Sequence, residues 1–229
     1  MTIKELEEKG YKILPYASNA EAFLEFVNDS KQYASIKDSS LLHNGRRNQT
    51  TGLLPRELFC LTVLANVANF LSGDTWTPGA LVDSSGRIPQ GNLAHDGFIL
   101  CTVGAKKNQF MWFEQVLATF KDKSATPANI ESAIHAQARR KSSKGSAYGV
   151  DDMALIILVD YSGELSNLTA LSEKIQTVAY KAVFLIGQIS GTFRDCVCVI
   201  LKSPADIRGP IQVRYERPDG TADVSRLYE

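Results

Sequence analysis

Apolar residues recur at helical spacing in three segments of the chain. Leucine and alanine repeat every three or four residues from Pro55 to Gly73, which predicts a long helix with proline in its first turn and glycine at its end. Thr126-Pro127 joins a capping residue to a first-turn proline, so a second helix is expected from there to about Lys141. Leucines between residues 165 and 178 predict a third, amphipathic helix.

Shorter apolar runs predict strands around these helices. The clearest unit is a hairpin, with strands at 97–103 and 110–117 joined by a polar turn centred on Ala105. The unbroken apolar run at 153–159 is typical of a strand that is buried on both faces. Further strands are expected at 80–82, 183–189, 196–201 and 211–215.

These segments predict one α/β domain over residues 1–229, with a mixed central sheet flanked by helices on both faces. Residues 1–50 are expected to form a helical N-terminal extension with a second helix from about Asn19. Residues 53–203 are expected to form the α/β core, and residues 204–229 a C-terminal tail or strand.

Composition narrows the class of protein. The chain is 44% apolar and 22% charged, which suits a globular protein with a substantial core and excludes a disordered chain. The formal net charge is zero, which argues against a strongly basic nucleic-acid coat protein and leaves room for one local basic groove. The charged N-terminus lacks the apolar stretch of a secretory signal, so we expect a cytoplasmic protein without a membrane partner.

The four cysteines do not have the spacing of a metal site. Each lies in an apolar stretch, and no two form a CxxC pair. We therefore expect buried, reduced thiols at Cys60, Cys101, Cys196 and Cys198.

Two carboxylates are the strongest chemical signal. Asp96 and Glu114 each lie nine residues from Ala105, so they face each other across the predicted hairpin. Cβ atoms of such a pair lie about 4.5–5.5 Å apart. Because adjacent carboxylates repel one another, the pair favours a shared divalent cation, and Mg²⁺ or Mn²⁺ is commonly held by one or two carboxylates.

Each acid also has a purely structural explanation. Asp96 precedes Gly97 and could simply end a loop, and Glu114 could face solvent at the edge of the sheet. Glu57, in the first turn of its helix, is adequately explained by the helix dipole.

The arrangement resembles the PD-(D/E)xK, or restriction endonuclease-like, nuclease superfamily over roughly residues 53–160. Its core runs helix, three strands, helix, strand. His95-Asp96 stands in the place of the "PD" element, Glu114-Gln115-Val116 in that of E-x-K, and Glu57 in that of the helix glutamate. The resemblance implies metal-dependent hydrolysis of phosphodiester bonds in nucleic acid, with DNA as the expected substrate. It also implies catalytic roles for Asp96, Glu114 and Glu57, and Mg²⁺ or Mn²⁺ held by Asp96 and Glu114.

The family lysine is missing, because Val116 stands at its position. In the family, this lysine orients the attacking water and offsets negative charge. Replacement cations must come from elsewhere in the chain, and Gln115 and Gln137 are further polar residues expected to support the site. The candidate cations are Lys121, Lys123, Arg139, Arg140 and Lys141.

Two other readings stay open. A nuclease fold without its lysine could be a catalytically inactive binding module that recognises nucleic acid, a nucleotide or a protein partner. The chain could also be an unrelated α/β protein in which Asp96 and Glu114 coincide by chance. The sequence leaves a homo-oligomer or a protein partner open in every case.

Overall fold

The computed structural model describes residues 3–15, 55–82, 96–118, 126–144, 153–159, 165–189, 195–204, 209–215 and 222–227. The helices are α1 (Ile3–Glu8), α2 (Pro55–Ser72), α3 (Pro127–Lys144) and α4 (Leu168–Gln176). The strands are β1 (Lys12–Pro15), β2 (Thr75–Val82), β3 (Gly97–Val103), β4 (Phe110–Ala118), β5 (Met153–Val159), β6 (Ala182–Gln188), β7 (Asp195–Lys202), β8 (Gly209–Arg214) and β9 (Asp223–Arg226).

The nine described strands form one mixed sheet in which their order in space follows their order in the chain. β4, β5 and β6 are parallel, and all other neighbouring pairs are antiparallel. Parallel neighbours need a crossover connection. α3 supplies the crossover between β4 and β5, and α4 supplies the one between β5 and β6.

Helices cover both faces of the sheet. On one face, Phe59, Val63 and Val67 of α2 pack into a core with Phe113 and Ile156. Because α2 contacts β2 and β3 and also β7, β8 and β9, the sheet wraps around this helix.

The other face is covered by α3 and α4. Ile134 of α3 and Ile175 of α4 pack with Leu155 and Ile157 of β5. Successive residues of β5 therefore enter opposite cores, which explains why all seven of its residues are apolar and buried.

The hairpin has the register that the sequence predicts. Gly97 pairs with Phe113 and Leu100 pairs with Phe110, and Asp96 lies just before the first of these pairs. In the turn, Gly104 has φ +115°, and a Cβ atom there would lie 2.0 Å from Oδ1 of Asp74. The same Asp74 oxygen accepts a hydrogen bond of 2.8 Å from the backbone N of Ala105, so the turn is anchored to the end of α2.

The mixed sheet with helices on both faces confirms the coarse fold prediction. The order helix, three strands, helix, strand is also present, from α2 to β5. One boundary differs from the expectation, because the predicted helical extension over residues 1–50 contains a strand, β1, which pairs with β2. Residues 204–229 contribute β8, close to the strand expected at 211–215, and also β9, which was not predicted. The helix expected from Asn19 lies outside the described residues.

The four cysteines are free and buried, as predicted. Among the helices that the structure describes, none is both long enough and apolar enough to cross a membrane.

Candidate active site

Asp96 lies at the open end of the hairpin and extends its pairing. Its backbone N donates to the carbonyl oxygen of Phe113 at 2.8 Å. Its side-chain Oδ2 accepts a hydrogen bond of 2.7 Å from the backbone N of Gln115. These two bonds fix the carboxylate at the first position of the hairpin, where the described part of β3 begins.

On the α2 side of β4, three polar side chains share a small pocket. We call Glu57, Asp96 and Gln115, with their surrounding walls, the acidic pocket. The side chain of Glu57 is only 4% exposed although it carries a carboxylate. The rest of the wall is formed by Leu61, Gly97, Phe113 and Ile156.

Gln115 places an unsatisfied oxygen in this region. Its Nε2 donates to the carbonyl oxygen of Arg56 at 3.2 Å and to Sγ of Cys60 at 2.6 Å. Because a carbonyl oxygen can only accept, the contact with Arg56 fixes which end of the amide is nitrogen. The remaining Oε1 is buried and has no hydrogen-bond partner in the described structure. A buried orphan acceptor costs about 1–3 kcal/mol, so this oxygen calls for a donor or a cation.

The donor set of the acidic pocket fits a hard divalent cation. Two carboxylates and an amide oxygen are ligands that Mg²⁺ and Mn²⁺ accept. Across the described ranges, no group of three or more His, Cys, Asp and Glu side chains could hold a metal ion. The space between these donors is too small to admit a water molecule in this conformation.

Glu114 makes its contacts on the other side of β4, away from the acidic pocket. The structure therefore differs from the expectation that Asp96 and Glu114 face each other and hold one cation. Its Oε1 accepts a hydrogen bond from Nζ of Lys141, and the two side chains form an ion pair. Its Oε2 accepts a hydrogen bond from the hydroxyl of Tyr180. We call these three residues the Glu114 cluster. The side chains of Glu114 and Lys141 are each 19% exposed, so their charges are mostly removed from water and compensate each other.

The acidic surroundings hold Tyr180 in its neutral form. Burial raises the pKa of its hydroxyl, and the hydrogen bond to Glu114 and the charges of Glu114 and Asp96 raise that pKa further. Tyr180 is therefore a fixed hydrogen-bond donor to Glu114. Since Asp96 also acts on this hydroxyl, the acidic pocket and the Glu114 cluster are electrostatically linked through the end of the hairpin.

Chain topology explains why these residues meet. β4, β5 and β6 are parallel, so their amino ends lie at one edge of the sheet. Tyr180 lies two residues before β6, and the next residue, Lys181, donates from its backbone N to the carbonyl oxygen of Met153 at 2.9 Å. α3 returns from the end of β4 to the start of β5, so its last turn carries Lys141 back to the same edge.

The cationic side chains that the sequence offered as replacements for the family lysine lie in different places. Val116 is 6% exposed and belongs to the core beneath α3, so the family position holds an apolar side chain. Lys141 contacts Glu114, whereas Arg140 donates from Nε to Oε1 of Gln137 at 3.0 Å along α3. Arg139 lines a separate cavity. Lys121, Lys123 and His95 lie outside the described residues.

Tyr180 was not predicted from the sequence. Its only signal is its place just before the apolar strand β6, and that signal says nothing about a contact with a residue 66 positions earlier.

No protein-family model matches this chain, and no curated protein and no solved structure matches it either.

Proposed function

We propose that this protein is a metal-dependent nuclease that hydrolyses phosphodiester bonds in nucleic acid, with DNA as the substrate. The observation that carries the proposal is the contact between Lys141 and Glu114. It brings an ammonium group to the E-x-K glutamate from the following helix, where the lysine position itself holds Val116. In this proposal Lys141 takes the place of the family lysine beside the strand acid Glu114.

In this proposal Mg²⁺ or Mn²⁺ is held by Asp96, Glu57 and Oε1 of Gln115. When bound, such an ion polarises a phosphate oxygen and makes a bound water more acidic. The choice of these three ligands rests on the shared pocket and on the orphan amide oxygen. Neutralisation by a cation would also offset the repulsion between the two carboxylates.

The residues of the chain have separate tasks. The backbone N of Gln115 orients the Asp96 carboxylate through its hydrogen bond to Oδ2. Glu114 holds the Lys141 ammonium, with Tyr180 fixing the second carboxylate oxygen. Lys141 then offsets the negative charge that accumulates on the phosphate during attack by water. Glu57 adds negative charge to the pocket from α2.

A plasmid-nicking assay with Mg²⁺ and with Mn²⁺ tests the proposal. We expect Asp96→Asn and Lys141→Met each to lower the rate at least about a hundredfold, because loss of one group that stabilises transition-state charge typically costs about 10²–10³. Asp195→Asn and Arg214→Met are matched controls, since each removes one charge of the ion pair between β7 and β8, which lies outside the proposed site. Equal rates for wild type and Asp96→Asn, or no metal-dependent nicking by the wild type, would refute a nuclease.

One observation favours a second function, that of a catalytically inactive module that binds nucleic acid, a nucleotide or a protein. Both carboxylate oxygens of Glu114 already accept hydrogen bonds within the chain, and Val116 is buried in the core. Binding of DNA without nicking in either metal would select this alternative.

A further inference from the structure

A second cavity lies beside the Glu114 cluster and has no role in the chemistry proposed above. It has a volume of about 410 Å³ and lies between the last turns of α3 and the end of α4. A volume of this size is typical of a pocket for a small ligand. Its lining consists of His135, Arg139, Ser142, Ser143, Thr177 and Val178, and no carboxylate is among these residues. We call it the cationic cavity.

Arg139 lines the cavity with a cationic side chain that the described residues do not bind. Of the three consecutive basic residues on α3, Lys141 pairs with Glu114 and Arg140 donates to Gln137. Within the described part of the chain, Arg139 has no hydrogen-bond or ion-pair partner. Its guanidinium carries five N–H donors in a planar fork that suits phosphate oxygens.

The pKa of His135 responds to the positive charges around the cavity. It lies one helical turn before Arg139, on the same face of α3. Its pKa is lowered by partial burial and then by the charges of Arg139 and of Lys174, which comes from α4. Cations therefore act on this imidazole from both helices that form the cavity.

Two further contacts make the cavity suitable for an anion. Oγ of Ser142 accepts a hydrogen bond of 3.0 Å from the backbone N of Ala179, which leaves its hydroxyl hydrogen for a ligand. The carboxyl end of α4 would bring partial negative charge. Lys202 offsets that charge, because its Nζ donates to the carbonyl oxygens of Gln176 at 3.2 Å and Val178 at 2.6 Å.

We propose that the cationic cavity binds a backbone phosphate of nucleic acid next to the one that is cut, with Arg139 as its main contact. Ser142 and Ala179, which bond to each other here, directly adjoin Lys141 and Tyr180 of the Glu114 cluster in the chain. The cationic cavity therefore lies directly beside the Glu114 cluster. The inference rests on the proposed function, because it assigns the position of a second phosphate of the same substrate.

Fluorescence anisotropy with a labelled DNA duplex, in Ca²⁺ so that binding is measured apart from cleavage, tests this site. We expect Arg139→Gln to weaken binding about tenfold and to reduce the slope of log K against log salt by about 1. Arg140→Gln is the matched control, because it removes the same charge one residue away outside the cavity. It should weaken binding by about twofold or less. Equal losses in the two variants, or no binding by the wild type, would overturn the site.

Nuclear magnetic resonance of His135 identifies the ligand. The chain has three histidines, and His135→Gln assigns the resonance. A bound anion favours the imidazolium, so DNA should raise the pKa of His135 in the wild type but not in Arg139→Gln. A response to inorganic phosphate or to a 5′-mononucleotide without a response to DNA would overturn a backbone site.

The two proposals can fail separately. Arg139-dependent binding without any nicking would retain the cavity as a nucleic-acid site and refute the nuclease. Normal nicking with equal binding by Arg139→Gln and Arg140→Gln would retain the nuclease and remove the cavity.

Discussion

Glu114 and Gln115 are neighbours on one strand, yet they belong to two regions with opposite electrostatics. Glu114 faces α3, where Lys141 and Tyr180 satisfy both of its oxygens. Gln115 faces α2, where it shares a pocket with two carboxylates and where one of its oxygens finds no partner among the described residues. Because side chains alternate along a strand, one residue step separates a compensated charge pair from a pocket lined by two other acids.

The two regions therefore need different explanations. A buried ion pair whose hydrogen bonds are complete needs no added ion to balance its charges. A buried acceptor such as Oε1 of Gln115, which has no donor among the described residues, is costly until a donor or a cation reaches it. The Glu114 cluster therefore holds the Lys141 side chain in position. The acidic pocket is the place where a metal is expected. Four predictions test this division, in order of decreasing effect.

The largest expected effect separates metal binding from cleavage. Asp96→Asn should abolish both Mn²⁺ binding, measured by isothermal titration calorimetry, and DNA nicking. Glu114→Gln should retain Mn²⁺ binding within about threefold while its nicking rate falls at least about a hundredfold. The reason is that this variant loses only the ion pair that holds Lys141 in position. If Glu114→Gln also loses Mn²⁺ binding, the two strand acids share the ion, and the division between the two regions is wrong.

The second prediction concerns the charge pair itself. Lys141→Met should lower the free energy of unfolding by about 2 kcal/mol, because it leaves Glu114 mostly buried without its cation. The double variant Glu114→Gln/Lys141→Met should lose less than the sum of the two single variants, with a coupling of about 1–3 kcal/mol. Urea unfolding at pH 7 measures all four proteins. Strict additivity would mean that the pair makes no net contact in solution.

The third prediction uses pH to distinguish the two regions. Burial raises the pKa of Cys60, beside Gln115, and that of Tyr180, beside Glu114. A raised folded pKa gives stability that is complete below the unfolded value and is lost as pH rises above it. The free energy of unfolding should therefore begin to fall near pH 8.5 because of Cys60 and near pH 10 because of Tyr180.

Unfolding titrations between pH 7 and 11 measure these two windows. Cys60→Ala should remove a loss of about 1.4 kcal/mol at pH 9.5, one unit above the unfolded thiol pKa. Tyr180→Phe should change the profile only above about pH 10. Cys196 and Cys198 contribute to the first window in both variants, since burial raises their pKa values too, that of Cys198 to about 12. A stability profile that is flat from pH 8 to 10 would contradict the buried thiols.

The smallest effect is expected at Gln137, which belongs to neither region. Its amide oxygen accepts from Arg140 on the exposed side of α3. Gln137→Ala should change the free energy of unfolding by less than about 0.5 kcal/mol and leave nicking unchanged. A marked loss of nicking would place this residue near the metal, as the family resemblance suggests.

Local pattern in the sequence determined much of this fold. Helical and strand periodicity gave α2, α3, α4 and the central strands with small errors at their ends, because each buries an apolar face that repeats along the chain. The hairpin register followed from the turn around Ala105, since pairing in a hairpin is set by its turn. That register did not decide which side of the sheet the Asp96 carboxylate faces, because Asp96 precedes the first pair and bonds to Gln115.

The tertiary structure alone decided the rest. β1 and β9 are short, and β9, Asp-Val-Ser-Arg, has no apolar run, so these strands form only because a neighbouring strand offers hydrogen bonds. The partners of Glu114 lie 27 and 66 residues away and meet it because α3 and β6 return to one edge of the sheet. Long-range contacts of this kind leave no periodic trace in the chain, and neither does the orphan oxygen of Gln115.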